Sequence, residues 1–72
     1  MLSNLKAEMA RSNVSVWDVA MEVGKSYRTI SDRIKGKLKF PIDEAIAVRD
    51  EFFPGMDLEY LFARDEWAKE SA

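Results

Sequence analysis

Residues 14–36 have the sequence VSVWDVAMEVGKSYRTISDRIKG, in which two short helical patterns flank Gly24. Ser15 with Asp18 three residues later is the pattern of a capping box, and Ser26 is a typical N-cap for a second helix. Glycine takes the left-handed conformation that follows a helix without the steric cost of a Cβ atom. The sequence therefore predicts two helices joined by a sharp turn, the arrangement called a helix-turn-helix.

Apolar side chains give each of these two helices one inward face. Val19 and Val23 are four residues apart in the first helix, and Ile30 and Ile34 are four apart in the second. Ala20 is small enough to let the two helices cross closely. This spacing predicts that the pair packs together and buries both stripes.

The rest of the chain is also predicted to be helical. Asn13 ends a first helix, because asparagine tolerates left-handed geometry. Pro41 sets the start of a fourth helix, in which Ile42, Ala45, Ile46 and Arg49 or Phe53 mark the spacing of the inward face. We predict a compact all-α fold in one domain, residues 1–72, with helices over about 3–12, 16–23 and 27–35, from Pro41 to the FFPGMD stretch, and from the cap Asp57 to about 70, where residues 68–72 fray.

Composition limits the functions that the chain can have. It has 72 residues, a net charge of −2, no cysteine and no histidine, which removes disulfides, thiolate chemistry and the usual zinc ligands. No apolar run approaches the length of a membrane span or a signal-peptide core, so we expect a cytoplasmic protein. The sequence has no glycine-rich phosphate loop and no nucleophile–base set. We therefore expect no enzyme, no cofactor, no metal site and no small-molecule substrate.

Charge is unevenly distributed along the chain. From Gly24 to Lys39 there are six basic residues against Asp32 alone, whereas the net charge is −1 before this segment and −6 after Phe40. Screening limits charge interactions to roughly 8–10 Å at ordinary salt, so a polyanion responds to the local field. The basic segment coincides with the second helix of the motif and the loop after it, which indicates a nucleic-acid surface. A solvated charged face is the alternative.

A resemblance to a known family is carried by AMEVGKSYRTISDRIKGK, preceded by SVWD and followed by FPIDEAIAVRDEFFP. These segments resemble the lambda-repressor-like group of phage repressors and Cro proteins, over roughly residues 4–62. The resemblance implies a five-helix DNA-binding domain and a transcriptional regulator, encoded by a phage or prophage and acting in the bacterial cytoplasm. The chain departs from the family pattern at Val16, where a phosphate-clamping glutamine is frequent, at Trp17, where a polar residue is usual, and at Lys25, where an apolar residue is common.

A recognition helix in the major groove presents its outward side chains and its first turn to base edges. Arg28 suits guanine O6 and N7, and Asp32 suits the amino group of cytosine. A surface ion pair between these two residues, four apart, is the alternative. The predicted base-contacting residues are Tyr27, Arg28, Ser31 and Asp32, of which Tyr27 can either stack on a thymine methyl or bond a phosphate. The predicted phosphate-contacting residues are Lys25, Ser26, Lys35, Lys37 and Lys39, where a solvated loop is the alternative for the last two.

The fifth predicted helix carries a second apolar stripe, with Tyr60, Ala63 and Trp67 on the face away from the core. One helix-turn-helix covers one half-site, whereas a two-fold dimer places two recognition helices about 34 Å apart on one face of the duplex. We therefore expect double-stranded DNA and a second copy of this chain as partners, with dimerisation only on DNA as one variant. The alternative is that Trp67 folds back onto the first helix or lies in a frayed tail.

Two functions from different classes remain open. The first is a sequence-specific, double-stranded DNA-binding transcriptional regulator of the Cro or repressor type. The second is a protein-interaction module on the same fold, an antirepressor or adaptor that binds a partner through its acidic C-terminal half. The basic segment favours the first function, whereas the net acidity and the missing glutamine in helix two keep the second one open.

Overall fold

All regular secondary structure in residues 1–66, the part of the chain described by the computed structural model, is helical. The predicted all-α class with five helices is confirmed, and none of these helices has the length and apolar content needed to cross a bilayer. Trp67 and the residues predicted to fray, 68–72, lie outside the described part. The helices are α1 Ser3–Arg11, α2 Val16–Val23, α3 Tyr27–Lys35, α4 Ile42–Phe52 and α5 Leu58–Leu61.

The connection between α2 and α3 forms as the local sequence predicts. Ser15 Oγ accepts a hydrogen bond from the backbone N–H of Asp18, and the Asp18 carboxylate accepts one from the N–H of Ser15, which completes the capping box. Gly24 follows α2 with a φ of +70°, and Ser26 Oγ accepts the N–H of Thr29 at the start of α3. Both helix starts are therefore held by side chains that pair with otherwise unsatisfied N–H groups.

The centre of the core takes one fully buried side chain from each helix. Each such side chain stabilises the fold by about 1.5–3 kcal/mol relative to leaving it exposed. Because all five helices contribute to the same cluster, none of them has a separate core. The five central residues are Leu5, Val19, Ile30, Val48 and Leu61. Around them lie Leu2, Met9, Ala20, Ile34 and Phe53.

α4 buries a different stripe from the predicted one. Ala45 and Val48 are buried, whereas Ile42 and Ile46, which were predicted to face inward, are exposed. At about 100° per residue the buried stripe is centred between Ala45 and Val48, and the two isoleucines lie about a quarter turn or more to one side. The prediction was wrong for Ile42 and Ile46 because the contacts of α4 with α2 and α5 select the stripe, and spacing alone does not.

α5 is much shorter than predicted. The Asp57 carboxylate accepts the N–H of Tyr60 and caps the helix as expected, but the helix ends at Leu61 after a single turn. The next residue, Phe62, packs edge-on against Phe40, with 5.0 Å between the ring centroids. This contact directs the chain away from the helix axis. The prediction of a helix continuing to about residue 70 was therefore wrong for residues 62–64, which are not helical.

The short α5 removes the helical stripe on which the dimer interface was predicted. Ala63 follows the end of α5, so it does not share one helix face with Tyr60, and Trp67 lies outside the described residues. The Tyr60 hydroxyl donates a hydrogen bond to Glu8 of α1 at 2.8 Å, and the Tyr60 carbonyl accepts one from the Asn4 amide at 2.9 Å. Tyr60 therefore ties α5 to α1, although its ring remains partly exposed.

The two ends of the described chain meet over the C-terminal end of α3. The Leu2 N–H donates to the Ile34 carbonyl at 2.8 Å, and the Asp65 N–H donates to the Met1 carbonyl at 3.0 Å. The Ser3 hydroxyl donates to the Asp65 carboxylate at 2.6 Å. The end of α3 is therefore covered by both of these segments. Residues 1–3 and 64–66 together form the terminal clasp.

Gly36, directly after α3, lies under the terminal clasp. Its φ is +91°, and a Cβ atom at this position would be 2.9 Å from the Met1 nitrogen. Arg64 donates a hydrogen bond to the Gly36 carbonyl at 3.4 Å. The Met1 amine lies 3.7 Å from Glu66. A hydrogen bond from its own backbone, together with Arg64, holds the pKa of the exposed Glu66 carboxyl below its usual value. Only a residue without a Cβ atom fits here unstrained.

Candidate nucleic-acid interface

The outward side of α3 presents the predicted base-contacting residues to solvent. The side chain of Arg28 is 92% exposed, Tyr27 is exposed, and Ser31 and Asp32 are half-buried. At about 100° per residue, Arg28 and Asp32 lie on the side of α3 away from the buried Ile30 and Ile34. Ser31 lies at the edge of this face, and Tyr27 lies at the first turn.

Arg28 and Asp32 also form the surface contact that was considered as the alternative. Arg28 Nε lies 4.0 Å from Asp32 Oδ2, at the outer limit of an ion pair. A pair this long and this exposed contributes about 0–1 kcal/mol to stability. The contact can orient the Arg28 guanidinium, and it is weak enough to leave that group available for a partner.

The predicted phosphate-contacting lysines surround both ends of α3. Lys25 precedes the helix, Lys35 is in its last turn, and Lys37 and Lys39 follow it, and all four are exposed. The backbone N–H of Lys37 donates to the Asp32 carbonyl at 2.9 Å, which closes the turn after Gly36 and holds the loop beside the helix end. The basic face consists of Lys25, Arg28, Lys35, Lys37 and Lys39.

The Ser26 hydroxyl is already engaged within the protein. Its oxygen accepts the Thr29 N–H at 3.1 Å, and the hydroxyl donates to the Thr29 side-chain oxygen at 3.0 Å. Ser26 therefore acts as the cap of α3. It lies at the end of the helix where a phosphate contact was predicted, but a contact through its hydroxyl would compete with the cap.

Arg33 does not belong to the basic face, although the sequence count included it. Its side chain is only 11% exposed, forms an ion pair with Glu44 of α4, and lies with its guanidinium carbon 5.5 Å from the centre of the Phe40 ring. Arg33 Nε is buried with no hydrogen-bond partner among the described residues. This arginine fastens α3 to α4, and within residues 24–39 the exposed positive charge comes from the five residues of the basic face.

An aromatic contact at this surface was missed from the sequence. Trp17, near the start of α2, packs against Tyr27, the first residue of α3, with 4.6 Å between ring centroids and 43° between ring planes. Tyr27 was predicted as a base contact, but Trp17 was noted only as a departure from a family pattern. The signal available in the sequence was that Trp17 lies outside the inward stripe of α2, and an exposed tryptophan needs an explanation.

Acidic residues of the described chain form no cluster of three or more that could hold a metal ion. Comparisons with protein-family models, with curated proteins and with solved structures found no match to this chain. The resemblance to the lambda-repressor-like group therefore stays a prediction. Two surface features bear on function, namely the basic face around α3 and the contact of Trp17 with Tyr27.

Proposed function

We propose that this protein is a sequence-specific, double-stranded DNA-binding transcriptional regulator of the Cro or repressor type, encoded by a phage or prophage. In this proposal α2 and α3 form a helix-turn-helix, and α3 enters the major groove of the DNA. The protein acts in the cytoplasm of the bacterial host. The observation that carries the proposal is the basic face, five exposed cationic side chains around one helix in a chain whose net charge is −2. Such a local excess attracts a polyanion despite the acidic total.

Roles follow from position on α3. Arg28 is the most exposed of the four base-contacting candidates and can donate two hydrogen bonds to guanine O6 and N7. Asp32 is held near Arg28 and can accept from a cytosine amino group, while Ser31 and Tyr27 lie beside them. Lysines before and after the helix would neutralise phosphates on both sides of the groove, which adds affinity without sequence preference.

A selection experiment tests the proposal directly. The protein is incubated with a pool of random duplexes at low salt, bound duplexes are amplified over several rounds, and affinity for the enriched site and for random duplex is then measured by fluorescence anisotropy. We expect an enriched motif and a binding constant that falls steeply as salt rises. Exposed Lys6 of α1 provides the charge-matched control, since Lys6→Ala removes one positive charge outside the basic face. Failure to bind any duplex at low salt would refute the proposal.

We further propose that two copies bind one two-fold symmetric site. Tyr60 and Ala63 remain candidates for the contact, together with Trp67. A second candidate for the dimer contact is the apolar surface of α4 on which Ile42 and Ile46 are exposed. Sedimentation of the parent, of Tyr60→Ala, of Trp67→Ala and of Ile46→Glu, with and without the selected duplex, distinguishes the two surfaces. If every variant binds the full site with the stoichiometry of the parent, neither surface is the dimer contact.

The second candidate function is a protein-interaction module, and the exposed part of α4 favours it. Ile42 lines a recess of about 260 Å³ with Phe40, Ala45, Leu58 and Phe62, and Glu59 lies on its rim. This recess suits an amphipathic helix with apolar and basic side chains. The two functions are separated by the selection experiment, because an interaction module would enrich no duplex.

A further inference from the structure

Trp17 and Tyr27 keep large apolar areas in water although they contact each other. Trp17 is 62% exposed and Tyr27 is 42% exposed, and their centroids are only 4.6 Å apart. Met21, one turn after Trp17 on α2, is 80% exposed. A monomer gains nothing from leaving such side chains uncovered, and a contiguous exposed patch of this kind marks an interaction site. These three residues are named the aromatic patch.

The charges beside the aromatic patch indicate the chemistry of its partner. Arg28 directly follows Tyr27 in α3, and Lys25 directly precedes the cap of that helix, so two exposed cations border the patch. On α2, the Asp18 carboxylate accepts the Ser15 N–H in the capping box, and Glu22 lies about 100° around the helix from Met21. The cations on the α3 side of the patch therefore favour a partner that combines negative charge with exposed apolar groups.

Double-stranded DNA provides both kinds of group in the major groove. Its phosphates carry the negative charge, and thymine exposes a 5-methyl group that apolar side chains contact. The two rings of the aromatic patch are too close together to admit a base between them, because stacking on both faces of a base needs about twice the usual ring separation. Their outer edges and faces remain free for contact with methyl and deoxyribose groups.

We propose that Trp17 and Tyr27 together read thymine methyl groups next to the base contacted by Arg28. This inference rests on the proposed function and adds a residue of α2 to the specificity of the site. Tyr27 makes the contact from the first turn of α3, and Trp17 both extends the apolar surface and holds the Tyr27 ring in place. The pair supplies a contact at the start of α2, where the resembling family often has a polar phosphate clamp.

Replacing thymine by uracil tests the proposal because it removes only the methyl group. The selected duplex is prepared with thymine or with uracil, one strand at a time, and affinity is measured for the parent and for Trp17→Ala and Trp17→Phe. For the parent we expect about fourfold weaker binding for each contacted methyl that is removed, which corresponds to about 0.8 kcal/mol. Trp17→Ala should bring this thymine-to-uracil ratio close to one, and Trp17→Phe should restore most of it.

Lys37→Ala is the matched control, since loss of a phosphate contact should weaken thymine and uracil duplexes alike and leave their ratio unchanged. If the parent binds thymine and uracil duplexes equally, or if Trp17→Ala keeps the ratio of the parent, the inference is overturned while the proposed function stands. If the parent binds no duplex, the proposed function fails and the inference fails with it.

Tryptophan fluorescence gives a second measurement that does not depend on affinity. The chain has two tryptophans, so Trp67→Phe leaves Trp17 as the single tryptophan, and this variant is used at duplex concentrations that a parallel anisotropy titration shows to saturate it. We expect DNA to shift the emission of this variant to shorter wavelength, because the exposed indole becomes covered, and we expect uracil duplex to cause a smaller shift. An unchanged spectrum at saturating duplex would place Trp17 outside the interface and overturn the inference.

Discussion

The two ends of α3 differ sharply in their surroundings. At the first turn, Tyr27 and Arg28 extend into solvent, and the Ser26 cap and the ring of Trp17 contact that end. At the last turn, the Ile34 carbonyl accepts a hydrogen bond from Leu2 and the terminal clasp covers the helix end. Over its nine residues, α3 therefore changes from a solvent-exposed first turn to a last turn that is held by tertiary contacts.

Because of this difference, we expect the two ends of α3 to contribute to different properties, the first turn to binding and the last turn to stability. Substitutions at the open end should change the affinity for a partner and leave the fold intact, because little is buried there. Substitutions at the covered end should change the free energy of unfolding. The support also matters for binding, since a helix fixed at one end presents its other end in a defined position.

The largest loss of stability is expected at Gly36, at the covered end of α3, where there is no space for a side chain. Gly36→Val adds left-handed strain and places a Cβ atom 2.9 Å from the Met1 nitrogen, whereas Gly24→Val adds strain alone, since nothing lies within 4 Å of its Cβ position. We expect losses of about 4 kcal/mol for Gly36→Val and about 2 kcal/mol for Gly24→Val. Urea unfolding followed by circular dichroism measures both. Equal losses would show that the terminal clasp yields to a side chain at no cost.

The next effect compares two arginines of α3. Glu44→Gln removes the carboxylate that pairs with the largely buried Arg33, and we expect a loss of about 3 kcal/mol in the free energy of unfolding. Asp32→Asn, which removes the carboxylate beside the exposed Arg28, should cost less than about 0.5 kcal/mol. Thermal melts of the two variants give the comparison. The double substitution Arg33→Met with Glu44→Leu should recover most of the stability, and a loss equal to that of Glu44→Gln would contradict the ion-pair explanation.

A smaller effect is expected for binding at the open end. Arg28→Ala should weaken the selected duplex by about 2 kcal/mol and relax the base preference at one position, because a bidentate contact to guanine is lost. Its thermal melt should match that of the parent, since the side chain is 92% exposed. Titration on selected and random duplex provides the measurement. If both duplexes lose the same affinity, Arg28 contacts phosphate and not a base.

The smallest effect concerns the loop beside the covered end. Lys37→Ala should lower affinity for all duplexes by less than about 1 kcal/mol and reduce the slope of log K against log salt by about one unit, because one phosphate contact is lost. Binding measured at four or more salt concentrations gives the slope. The charge-matched variant Lys6→Ala should keep the slope of the parent, and an equal change in both variants would mean that only net charge matters.

Local chemistry explains what the sequence predicted well. The caps at Ser15, Ser26 and Asp57 depend on a side chain and an N–H group three residues later, so they are visible in the sequence before any tertiary contact is known. The same holds for the left-handed residue Asn13, which has a φ of 56°. Helix bounds set by such residues were therefore predicted closely.

Tertiary contacts explain what the sequence did not predict. The end of α5 depends on the packing of Phe62 against Phe40, residues 22 positions apart in the chain. Arg33 is not part of the basic face because it forms an ion pair with Glu44, which lies in another helix. In the candidate interface, the outward residues of α3 followed from helical spacing, but the contact of Trp17 with α3 required the relative placement of two helices.

The arrangement of the core has a consequence for cooperativity. Since each helix supplies one fully buried side chain to the same cluster, detaching any one helix would open a cavity that the other four line. Subglobal opening of the α2–α3 pair alone is then disfavoured, and amide protons of α1 and α3 should exchange with water through one common event. We therefore expect the five helices to unfold as one unit, so that the basic face is as stable as the domain that carries it.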